Sequence, residues 1–135
     1  MEFKYKIIRQ PEKQSNNIFE YAANLSILQN NNLFLQIKDI CIIDFIYKLS
    51  LYNLNMELFE FVPIDSIDKV LIITSIDSKN VKIISDWSNK TIIVKKEDLI
   101  NSIKLLKARF EHETKMKIEK YYNWLFYNYD LTLKI

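Results

Sequence analysis

The sequence predicts one α+β domain over residues 1–135: an antiparallel sheet of about six to seven strands with two helices packed on one face. Three observations predict it. Segments with period-two alternation are joined by polar turns too short for the crossovers that parallel strands need. Two other stretches, 40–52 and 97–128, carry apolar residues at three- and four-residue spacing. The chain has 135 residues, 49% hydrophobic and 27% charged. That is a globular composition, long enough to bury a core without staples.

The elements follow in order. "FKYKII" puts Phe3, Tyr5 and Ile7 on one side of an opening strand. A polar loop with Pro11 precedes a second strand from about Ile18, where Tyr21, Ala23, Leu25 and Ile27 alternate. "QNNN" is a hairpin turn and "LFLQI" its returning strand, with Asn serving positions that need positive φ. Asp39 is placed to cap a helix. That helix spaces Ile42, Phe45, Ile46, Leu49 and Tyr52 along one face and stops at "NLN". "ELFEFV" is a strand ended by Pro63, and the nearly continuous apolar "DKVLIITSI" belongs inside the sheet. "DSKN" turns the chain, "VKIISDW" alternates, "SNK" turns it again, and "TIIV" closes the meander.

A long helix starts at Glu97, with Glu97 and Asp98 near its positive end. Leu99, Ile103, Leu106 and Phe110 form its stripe, and Glu111–Lys115 and Glu113–Lys117 are i,i+4 pairs on its outer face. The stripe loosens at Thr114 and Lys117 and resumes with Ile118, Tyr121 and Leu125. Taken to Asn128 the helix is about 48 Å long, against roughly 30 Å for a small domain. It must overhang, kink or meet another chain. "DLTLKI" has the alternation of a short edge strand.

Composition limits function. There is no glycine, where an average chain holds about 7%. Without it no Walker A loop, dinucleotide turn or nucleophile elbow forms, so no nucleotide cofactor is expected. A net charge of +2 lacks the concentrated basic face of a nucleic-acid binder. No apolar run nears the ~18 residues of a membrane span, and the opening residues lack the apolar core of a signal peptide. A soluble, cytoplasmic protein is expected.

Candidate chemistry is sparse. Cys41 is the only cysteine and reads as a buried structural thiol. His112, the only histidine, lies on a charged helix face with no second ligand, so neither zinc nor a catalytic role is expected. Asp65, Asp68, Asp77 and Asp86 stand near strand ends. A magnesium site would use carboxylates there, but so does turn chemistry, which is the favoured reading. The lysines of "VKKED" read as solvated charge. Trp87 reads as a core or edge anchor against the long helix.

The C-terminal "KIEKYYNWLFYNYD" holds six aromatic residues between positions 121 and 129. On a helix they wrap most of the circumference, and a single sheet buries only one side. Tyr122, Trp124, Phe126, Tyr127 and Tyr129 are therefore candidate partner contacts, with Trp87 beside them, because Tyr and Trp anchor protein interfaces.

Most of the chain resembles a group of small bacterial α+β proteins. The resemblance runs through "AANLSILQNNNLFLQIKDICIIDFIYKL", "LFEFVPID" and "VKIISDWSNKTIIVKKEDLINSIKLLKARF". Ser85 and Trp87 stand at the Ser-x-Trp strand end, and Leu99 and Ile100 in the Leu-Ile-rich helix. Similar proteins are encoded as immunity proteins beside polymorphic toxins. The resemblance implies a non-catalytic binding module that neutralises a toxin domain by direct contact. A small metal-dependent nuclease using strand-end carboxylates is the alternative, and a homodimer joined through the C-terminal helix is a third reading.

Overall fold

The computed structural model describes residues 1–10, 21–64 and 66–120. In chain order the elements are β1 (Glu2–Arg9), β2 (Ala22–Gln29), β3 (Asn32–Cys41), α1 (Ile42–Ser50), β4 (Leu58–Phe61), β5 (Leu71–Ser75), β6 (Asn80–Ser85), β7 (Ser88–Lys95) and α2 (Lys96–Thr114). All pairings are antiparallel. No helix among the described residues is long and apolar enough to cross a membrane.

The α+β class holds, but the single sheet of six to seven strands does not. Seven described strands form two sheets, ordered β1-β2-β3 and β4-β5-β6-β7. The sheets abut where β3 meets β7. There the Ser88 hydroxyl donates to the Phe34 carbonyl at 2.9 Å and the Lys90 ammonium to the Leu33 carbonyl at 2.8 Å. Side chains, not a backbone ladder, stitch this seam.

A bulge alters the course of β3. Ala23 faces Ile40 while Leu25 faces Ile37, so β3 carries one residue more than β2 over that interval. Asp39 takes up the excess at φ 56°, a left-handed angle that bulges commonly adopt. Its N–H donates to the Asn24 side chain at 3.0 Å, and its carboxylate pairs with Arg9. Asp39 is therefore not a helix cap: α1 begins two residues later behind Cys41, with no side-chain cap. Tyr52 is buried as its spacing predicts, but it lies just past the last turn of α1.

The β2–β3 hairpin turns at Asn30 and Asn31, with φ of 51° and 64°. Two successive positive angles are what a type I′ turn demands, and asparagine supplies them here without glycine.

The helices lean on each other and span both sheets, α1 touching β3 and β4 and α2 touching β1 and β7. Phe45 of α1 ties the layers together. Its ring meets Phe3 of β1 edge-on at 6.0 Å and Phe61 of β4 at 4.9 Å. Each such ring contributes about 1.5–3 kcal/mol by burial, and edge-to-face pairs add somewhat more. Phe110 does the same for α2, flanked by Tyr5 at 6.0 Å and Tyr21 at 5.8 Å. The Tyr5 hydroxyl donates to Glu113. Burial first, and then this bond to a carboxylate, hold its pKa well above the ordinary tyrosine range.

The long helix breaks. Lys115 adopts φ 61° just after α2, and helical backbone resumes at residues 118–120. The break is pinned: Glu111 accepts the Ile118 N–H at 2.9 Å, Lys107 pairs with Glu119, and Met116 and Ile118 are buried. Glu111 and Glu113 therefore serve Ile118 and Tyr5 rather than the predicted lysines. Of the three ways to house so long a helix, a kink is the one seen.

Candidate protein-binding surface

Tyr122, Trp124, Phe126, Tyr127 and Tyr129, like the predicted edge strand of residues 130–135, lie outside the described residues. Of the predicted contacts, Trp87 is the one the structure places.

Trp87 does not end a strand, and it does not pack on the long helix. It forms a two-residue turn with Asp86 between β6 and β7, while "SNK" belongs to β7. Its ring is 44% exposed, yet it is held. The indole N–H donates to the Asp68 carboxylate at 2.8 Å, and the backbone N–H donates to the Ser85 hydroxyl at 3.0 Å.

The segment that carries Asp68 is fixed in turn. Asp86 accepts the Lys69 N–H at 2.7 Å and returns its own N–H to the Lys69 carbonyl at 2.9 Å. Upstream, the buried Asp44 of α1 accepts the Ile64 N–H at 3.0 Å and pairs with Lys48 at 3.0 Å. Lys48 also donates to the Val62 carbonyl at 3.0 Å. A buried ion pair with its remaining groups bonded fixes geometry more reliably than it adds stability. Here it ties the chain leaving β4 to α1. Next to Asp68 in sequence, Ile67 is 94% exposed.

Below Trp87 is a narrow cavity of about 120 Å³, lined also by Asp39, Cys41, Asp44, Pro63 and Ile64. Cys41 is half-buried there, not fully enclosed as the sequence suggests.

The carboxylates do not assemble a metal site. Asp68 and Asp86 stand at one end of the four-stranded sheet and Asp77 at the other, in the β5–β6 turn; Asp65 lies outside the described residues. Asp77 accepts the N–H groups of Lys79 and Asn80, each at 2.8 Å. The Lys79 bond first, then those from Asn80, hold its pKa below the ordinary aspartate range. Among the described residues no group of three or more His, Cys, Asp and Glu could hold a metal ion. His112 is exposed on α2 beside a shallow groove lined by Glu111 and Met116.

Sequence reasoning missed Lys96. It is the first residue of α2 and only 9% exposed. The signal was available: Lys96, Leu99, Ile103, Leu106 and Phe110 form one unbroken three-four stripe.

No protein-family model, curated protein or solved structure matches this chain.

Proposed function

We propose that this chain is a non-catalytic protein-binding module of the immunity type, which neutralises a partner toxin by direct contact. The observation that carries the reading is the state of Trp87, an indole nearly half exposed yet fixed by a 2.8 Å bond to Asp68. An aromatic ring held in place before binding loses little side-chain entropy when a partner covers it, and tryptophan is prominent among interface hot spots. The neighbouring Ile67, 94% exposed, extends the apolar contact that a partner would find. The aromatic residues Tyr122, Trp124, Phe126, Tyr127 and Tyr129 are proposed as a second contact group. The resemblance to small immunity-type proteins supplies the class of partner.

The test is co-expression with the product of the adjacent gene, followed by size-exclusion chromatography and a toxicity assay. The reading predicts a stable complex and loss of toxicity. A neighbour that is not a toxin, or a toxin that elutes apart from this chain and still kills, would sink it.

A further inference from the structure

Lysine is rarely buried, and when its stem packs against apolar side chains the ammonium must still reach water or an acceptor. Lys96 packs in this way at the head of the α2 stripe, more than nine-tenths buried. Among the described residues its ammonium makes no ion pair, and its only hydrogen bond is from its backbone N–H to the Lys79 carbonyl at 2.8 Å. A lysine sunk this deep with no acceptor has the character of a ligand contact.

Its side chain borders a groove of about 580 Å³, with Lys79, Lys95, Glu97, Ser78 and Leu54 around it. Three ammonium groups face one carboxylate there, a lining charge of +2. The groove lies at the start of a 19-residue helix whose N-cap, Lys95, gives no side-chain cap. The first-turn N–H groups after Lys96 thus lack a capping side chain, and the positive end of the helix dipole adds to the lysine field. Glu97 is the lining's one negative group. Nearby Asp77 is engaged by the N–H groups of its own turn.

We infer that this groove is an oxyanion site that takes a dianionic phosphate group, free or as a monoester. The phosphate oxygens sit between the ammonium groups of Lys96, Lys79 and Lys95 and the first N–H groups of α2. The dianion matches the lining charge, and helix N-termini combined with lysine are a proven setting for phosphate. Leu54, half exposed on the opposite wall, offers an apolar seat to the organic part of a monoester. The site is independent of the Trp87 surface.

The probe is inorganic phosphate, titrated into the isotope-labelled full chain at constant ionic strength and followed by amide chemical shifts. Saturable shifts are expected at Lys79, Asn80, Glu97 and Asp98. Lys96→Met keeps the buried stem and removes the charge, and it should weaken binding about tenfold. The exposed control Lys104→Met should bind as the parent does. If Lys96→Met does not fold, the exposed pair Lys79→Gln with Lys95→Gln replaces it, with a loss of the same order expected. Shifts that rise linearly without saturating, or equal affinity in the charge-deleted variant, overturn the proposal.

Discussion

The two ends of the four-stranded sheet are built on opposite terms. At the β6–β7 turn, the Asp68, Asp86 and Ser85 side chains each hold a neighbouring N–H, and the group left uncovered is an apolar ring, Trp87. At the far end of β7, about 26 Å away for eight residues of strand, apolar contact is what is satisfied. The group left without an acceptor there is a charge, Lys96. The difference teaches how to look for function in a chain with no catalytic motif. A polar network that orients an exposed ring prepares a protein contact, whereas an apolar stripe that captures a lysine prepares a contact with an anion.

The comparison can be broken or sharpened by substitution. The largest effect is expected from Phe45→Ala, which removes the ring between Phe3 and Phe61. Both ends depend on this one core, so a loss of about 3–5 kcal/mol in a single cooperative urea transition is expected. Two separate transitions would mean the ends belong to independent units. Asp68→Ala should cost less, about 1 kcal/mol, because only the indole bond is lost. Its signature is local: Trp87 fluorescence should become more mobile by anisotropy while the shifts of the Lys96 groove stay fixed. Unchanged anisotropy would mean the bond does not hold the ring.

The smallest effect has the opposite sign. Tyr52, on the segment leading to Leu54, has its hydroxyl buried with no hydrogen-bond partner among the described residues. Burial holds its pKa above the ordinary range. Tyr52→Phe should raise stability by about 0.5–1 kcal/mol in a thermal melt, since it deletes an unsatisfied group and keeps the ring against Phe59. A loss of stability would reveal a partner for that hydroxyl. The contrast with Lys96 is useful: one orphan group is sealed inside the fold, the other lines an open groove.

Local periodicity made much of this fold readable. The stripe of α1, the glycine-free Asn30–Asn31 turn and the meander from β4 to β7 all follow from residues close in sequence. What escaped was set by long-range geometry or by residues whose type misleads. Whether β3 and β7 form a ladder depends on a bulge at Asp39 and on strands some fifty residues apart, so one sheet was expected and two were found. Ser88–Lys90 look like a turn because they are polar, but the chain reverses one step earlier, and Trp87 is carried outward. The α2 break lacks the glycine that usually marks a left-handed end, with Lys115 taking that angle instead. Lys96 was read by its charge and not by its place in the stripe.

The central claim is that Trp87 is an interface anchor held ready for a protein partner. Calorimetric titration of the adjacent gene's toxin into the parent chain and into Trp87→Ala tests it most directly. The account predicts that the variant melts like the parent and binds about 30-fold more weakly, a loss near 2 kcal/mol. Equal affinity in a folded Trp87→Ala chain would contradict it.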